Sequence, residues 1–288
     1  MMVEIVSVGY AVVSMIGWGC GDFLIKRSIG SIGYYRLLLY VQLVALGPIF
    51  LLAAVCTPPI PSSPRTIGLI LATAICTYSA MLFFFKALAV GKASIIAPVG
   101  STSAVVAIAL SFVILGERLS LSQASSIILV IIGILVLSMR TSSSGHSNAG
   151  IPYVLASVVC AGFDAVLIKL VSIDIGEIGT LFFTRVIVTL LLLLIFPFVK
   201  NLWMGDLHER VSLKSILAVG LASFAGILGF ILGIGAGTVS IVAPISSASP
   251  AITVILAQLF LNEKMVQTHK IAVLLVIVGI ILLSIVSV

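Results

Sequence analysis

Residues 87–139 align without a gap onto residues 233–285, at a constant offset of 146. The alignment sets Ser94-Ile-Ile-Ala-Pro98 on Ser240-Ile-Val-Ala-Pro244, and Gly116-Glu117-Arg118 on Asn262-Glu263-Lys264. It also sets Leu129-Val-Ile-Ile-Gly133 on Leu275-Val-Ile-Val-Gly279. Of the 53 aligned positions 17 are identical, and most of the others are apolar in both copies. A shared apolar bias gives chance matches, but not a common Pro, Glu and Gly held in one register. A chain of this kind must build two similar halves and bury one against the other.

Both halves are too apolar for water. Hydrophobic residues make up 61% of the 288 and charged ones 8%, with a mean hydropathy of +1.37. A soluble domain of this length needs far more surface charge. Ten apolar stretches recur, near 6–26, 35–56, 67–90, 94–115, 121–140, 151–171, 178–199, 213–235, 239–261 and 267–287. Each approaches the roughly 20 residues that cross a bilayer as a helix. The expected class is therefore an all-α, multi-pass protein of the cell membrane with short connections. The first stretch lacks an A-x-A-like cleavage site, so it reads as an uncleaved membrane signal.

Several functions are set aside by the same residues. The net charge of +6 is spread over span ends, where Lys and Arg anchor helices, so no nucleic-acid partner is expected. Cys20, Cys56, Cys76 and Cys160 show no C-x-x-C pairing. His146, His208 and His269 lie in or near loops without a ligand-spaced partner, so no metal and no cofactor are expected. An intramembrane enzyme needs a nucleophile–base or metal set that the spans lack. No G-x-x-x-x-G-K-[ST] motif is present for direct ATP drive.

The segment Thr141-Ser-Ser-Ser-Gly-His-Ser-Asn-Ala149 is small and polar, and reads as a linker. It divides the chain into 1–140, the linker 141–149, and 150–288. Each half holds five spans, an odd number, so the second half must enter the membrane inverted with respect to the first. Inverted repeats of this kind characteristically enclose a transport site at their interface. The fronts of the halves agree at a different offset, 143: Gly19 and Leu24-Ile-Lys26 echo Gly162 and Leu167-Ile-Lys169. Odd-numbered loops hold eleven Lys and Arg against four on the other side, which places both termini outside.

Asp22 and Asp164 lie in the later part of the first span of each half. A carboxylate within the membrane faces a cavity or a partner. Two readings stand for the pair: a proton carrier or counter-charge to a cationic solute, and structural pairing with Lys26 and Lys169. Ser101 and Ser103 match Ser247 and Ser249, as a polar cavity wall or as close-packing positions. Pro98 and Pro244 are expected in the first turn of their helices, where the missing N–H costs little. Pro250, matched by Ala104, is expected to kink only the second half.

Gly229, Gly233 and Gly237 form a small-residue stripe for tight packing. Trp18, Phe83, Phe84, Phe85 and Tyr78 are candidate wall aromatics, with Tyr78 singled out because its hydroxyl needs a partner at membrane depth. Gln42 and Gln258 read as interhelical hydrogen-bonding groups. Glu117-Arg118 and Glu263-Lys264 read as helix-end anchors or gate contacts. Spans five and ten are apolar on every face, suiting lipid or a helix–helix contact, and a monomer or a homodimer through them is expected.

Trp18-Gly19, Ala87-Leu88, the Ala-Pro openings of spans four and nine, and Gly116-Glu-Arg-Leu119 followed by helices centred on Gly133 and Gly279 resemble the drug/metabolite transporter superfamily, in its ten-span EamA type. The resemblance covers essentially the whole chain. It implies ten helices in two inverted five-helix repeats around a cavity lined mainly by spans 1, 3, 4, 6, 8 and 9. It also implies termini in the cytoplasm, against the charge tally. Trp18 and Ala161 stand where the four-span exporters carry a coupling Glu, so antiport through that Glu is not supported. The expected function is alternating-access movement of a small organic solute, an amino acid or similar amphipathic molecule. An exporter of hydrophobic or cationic toxicants is the second reading, and a passive channel a third.

Overall fold

The computed structural model describes residues 2–91, 93–138, 148–198, 212–261 and 267–286. Of the polar linker, 141–147 lie outside the described residues, as do Glu263, Lys264, His146 and His208. The described chain is helical, without strands: α1 (Met2–Ile32), α2 (Tyr34–Cys56), α3 (Pro64–Val90), α4 (Ala93–Ser101), α5 (Ser103–Leu110), α6 (Leu121–Ser138), α7 (Ile151–Ile195), α8 (Leu213–Ala236), α9 (Val239–Ser246), α10 (Ser249–Leu261) and α11 (Gln267–Val286). A π-helical turn, Ser111–Leu115, extends α5.

Among the described residues five helical segments are long and apolar enough to cross a bilayer, namely Ile5–Ile29, Tyr34–Cys56, Pro64–Val90, Ile151–Ile195 and Leu213–Ala236. Four shorter ones, Val99–Leu115, Leu121–Val136, Val239–Thr253 and Lys270–Leu283, are also apolar. Leu51, Val55, Val113 and Leu194 are among many large apolar side chains left exposed, which in water would be an aggregation surface. Against hydrocarbon the same side chains are at home. α7 runs through both apolar stretches of 151–199, and its backbone leaves the helix only at Gly176, where φ is 73°. A side chain would be strained there, so the bend is written into that glycine.

The two halves repeat one another's contacts. α1 packs chiefly on α8, α3 on α7, and α6 on α11. A Cβ on Gly133 would lie 2.7 Å from Val276 Cγ2, and one on Gly279 would lie 2.7 Å from Val130 Cγ2. The fronts match at the offset of 143: a Cβ on Gly19 would meet Ile252 Cβ at 2.5 Å, and one on Gly162 would meet Val106 Cγ1 at 2.5 Å. Ile252 and Val106 are themselves 146 apart. These helices approach so closely because bare backbone replaces a side chain at the crossing. Spans five and ten thus find their helix–helix contact in each other, within one chain.

Two expectations about proline are corrected. Pro98 and Pro244 each occupy the sixth residue of their helix, α4 and α9, beyond the first turn. Pro244 therefore removes a helical donor to the carbonyl of Ser240. Nor is the second half alone in being interrupted. Thr102 N donates to Val99 O at 3.1 Å and Val105 N to Thr102 O at 3.0 Å. Ala248 N donates to Ile245 O at 3.1 Å and Ala251 N to Ala248 O at 3.0 Å, the same pair of tightened bonds. Both helices break at one equivalent place, so Pro250, in the first turn of α10, is not the cause.

Candidate functional site

The breaks between α4 and α5 and between α9 and α10 face a cavity of about 230 Å³. Trp18, Asp22, Ser101, Ser103, Asp164, Ser247 and Ser249 all line it, seven of the eight residues singled out from the sequence as binding or coupling groups. Tyr78 does not. It packs on the neighbouring core with Tyr35 and Phe84, and its hydroxyl is paired with Tyr35. Neither Pro244 nor Pro250 lines the cavity.

The structural pairing offered for the two aspartates is not formed. Lys26 Nζ donates instead to the carbonyls of Leu88 (3.3 Å) and Gly91 (3.4 Å) at the end of α3. Lys169 Nζ donates to those of Ile234 (2.7 Å), Gly235 (3.4 Å) and Gly237 (2.8 Å) at the end of α8. Leu88 and Ile234 are repeat partners, as are Gly91 and Gly237. Each lysine closes the C-terminal end of a helix of its own half, where orphan carbonyls and the helix dipole favour a cation.

The aspartates differ in what this leaves them. Thr77 Oγ1 donates to Asp164 Oδ1 at 2.6 Å, and the charge of Arg185 acts on the same carboxylate. Asp22 has no hydrogen-bond or ion-pair partner among the described residues. A buried carboxylate without a partner is costly, and a ligand or a proton removes that cost. Gln42 Nε2 is likewise unpaired, on a side chain only 3% exposed that lines the same cavity.

Two of these groups were not read as functional from the sequence. Arg185, one of the four charges tallied opposite the odd-numbered loops, is 6% exposed and points Nη1 at Met81 Sδ, 3.3 Å away. A lone Arg in an apolar run was signal enough, since such a charge needs an internal partner. Gln42 and Ala45 bring α2 to the wall, and Arg185 brings the second part of α7, beyond the six spans expected there. Most of the rest of the wall is apolar, with Ile25, Met81, Phe84, Phe85, Ile227 and Phe230, and the hydroxyls of Thr77, Ser157 and Ser223 are set among them.

At one end of the bundle Glu117 follows the turn at Gly116. Its carboxylate accepts from the backbone N–H of Val239 (2.8 Å) and Ser240 (2.9 Å) and from the Ser240 hydroxyl. Ser240 and Ser111 share a further hydrogen bond of 2.8 Å. A carboxylate at a helix N-terminus satisfies orphan donors and the dipole together. Glu117 thereby ties the end of the α5 span to the start of α9. Its repeat partner, Glu263, lies outside the described residues.

Comparison with known proteins places this geometry. The profile of the EamA-like transporter family matches residues 6–139 and again 148–285. An uncharacterized transporter of Helicobacter pylori is 28% identical over 139 residues, 47% of this chain and 45% of that protein. An uncharacterized protein of Methanocaldococcus jannaschii is 38% identical over 86 residues, 30% of this chain and 61% of its own length. The match thus spans about half the length of these curated relatives. A protein of known crystal structure superposes with a TM-score of 0.71 over 95% of this chain and 98% of its own, at 17% identity, a likeness of fold alone. With both halves matched by the family profile, the chain belongs to the EamA-like transporter family and is a multi-pass membrane protein.

Proposed function

We propose that the protein is a secondary transporter of the cell membrane that moves a small amphipathic organic solute carrying an amino group. The observation that carries this reading is Asp22, a carboxylate without a partner among the described residues, on the wall of a mostly apolar 230 Å³ cavity. An ammonium group answers the charge, the unpaired Gln42 Nε2 offers a donor to an oxygen of the solute, and the apolar wall accepts the remainder. Amino acids and amines of similar size fit this description.

Ten spans in two inverted repeats of five, 1–140 and 150–288 joined by 141–149, give the arrangement in which such a site alternates between two faces. Under that topology the Lys26 caps and the Lys169–Glu117 ties lie at opposite faces. The cavity wall includes Ile25, Phe85 and Ala97 on the Lys26 side and Ala243 on the Glu117 side. The exporter of cationic toxicants remains the second reading, favoured by the same free Asp22.

Counterflow in proteoliposomes tests both. Vesicles are loaded with a mixed pool of amino acids and amines, and labelled members are followed without an imposed gradient. Transient accumulation of a label, lost in Asp22→Asn, is the expected outcome. Accumulation of a permanent quaternary cation alone selects the exporter. Flux without counterflow in folded protein overturns alternating access in favour of a channel.

A further inference from the structure

The two halves differ at one aromatic position on the cavity wall. With Lys26 and Lys169 matched, and Gly19 matched to Gly162, Trp18 falls opposite Ala161. At the offset of 146 that relates the later part of each half, Gly226 falls opposite Ala80, and Phe230 opposite Phe84. In one half the Trp18 indole lies on bare backbone: a Cβ on Gly226 would be 2.3 Å from Trp18 Cδ1. The indole also packs on Phe230, with ring centroids 5.0 Å apart and planes at 45°. In the other half, Ala161, Ala80 and Phe84 all line the cavity, with no indole between them.

We propose that the space beside Phe84, over Ala80 and Ala161, is the subsite that receives a flat aromatic ring of the solute, and that Ala161 sets its size limit at about an indole. The inference rests on the reading of the cavity as a transport site. Trp18 on Phe230 serves as an internal template for it. The fold, built twice, holds a ring against a Phe in one copy and leaves the equivalent position vacant in the other. Phe84 is fixed for this purpose: a Cβ on Gly100 would lie 2.9 Å from its Cε2, so the ring rests against bare backbone. Offset or tilted ring pairs at this spacing are favourable beyond simple burial. Asp22 on the same wall takes the ammonium group, so the fitting class is an aryl-alkyl amine or a molecule containing one.

The test is counterflow of tryptamine and of n-butylamine, two amines that differ in the ring. Ala161→Trp fills the subsite, but its indole would meet the Cβ of Ala80. Ala161→Trp with Ala80→Gly transplants the complete Trp–Gly–Phe arrangement of the other half and guards against misfolding. The expected result is a loss of tryptamine flux of about tenfold or more, the loss of one good ring contact and its buried area, with a clearly smaller loss for n-butylamine. Ala161→Val should fall between. Unchanged tryptamine flux in the folded double variant overturns the subsite and leaves the transport reading standing. Equal loss of both amines also overturns it, because the position then acts on all cargo and not on the ring. If the folded unsubstituted protein accumulates neither amine, the amine-transport reading fails, and the subsite with it.

Discussion

Asp22 and Asp164 show how one residue type takes two roles on one cavity wall. Asp164 is engaged by Thr77 and balanced by Arg185, whereas Asp22 faces the cavity alone. The two substitutions to Asn should therefore separate. Asp22→Asn leaves thermal stability in detergent unchanged or raised, since it removes an unpartnered charge, and abolishes counterflow of cationic solutes. Asp164→Asn lowers the unfolding temperature, because Arg185 then stays buried without its counter-charge. Equal unfolding temperatures for the two variants would show that Asp164 is no better satisfied than Asp22. Gly226→Ala presses a Cβ onto the Trp18 indole, an overpacking that costs about 1–3 kcal/mol. A thermal shift within error of the unsubstituted protein would mean that Trp18 is free to move aside.

At the scale of elements, helix ends are closed by charged side chains reaching in from other helices. Lys169 serves α8 with two bonds under 3 Å, and Lys26 serves α3 with two bonds beyond 3.2 Å. Lys169→Met should lower the unfolding temperature more than Lys26→Met does, the larger loss being about 1–3 kcal/mol of charge-assisted bonding. The opposite order would show that bond length does not track strength here. The interruptions in the α4–α5 and α9–α10 spans belong to the same logic. Backbone that departs from the helix at membrane depth is tolerated where it lines a cavity.

Much of this was legible at the level of the repeat. The glycines, the Ala-Pro openings and the hydroxyl pairs announce where the halves match, and Ser101, Ser103, Ser247 and Ser249 do meet at one wall. Less legible was which polar group answers which. Spacing along one helix suggested Asp22 with Lys26, but the lysine reaches across to α3, a contact between residues more than sixty positions apart. Tyr78 was singled out for needing a partner and found Tyr35 outside the cavity. Pro250 invited an asymmetric kink that both halves possess without it. Pairings between distant helices carry no local signature.

The whole molecule is two interlocked copies, with α6 and α11 crossing at paired glycines. Gly133→Leu and Gly279→Leu each drive a branched side chain into the facing helix, and should destabilise by similar amounts in chemical or thermal unfolding. The double variant should cost less than the sum, because either change alone already separates the pair. Strict additivity would mean that the two contacts are independent.

The pairing of α1 with α8 has a consequence for synthesis. Gly17 and Trp18 meet their bare-backbone partner at Gly226, about two hundred residues later in the chain. Lys26, by contrast, finds its carbonyls as soon as α3 arrives. Until α8 is made, the Gly17–Trp18 face of α1 therefore lacks the backbone it packs on. During that interval the first half is the natural client of whatever shelters polar groups in the bilayer, and the last third of translation is when it ceases to need shelter.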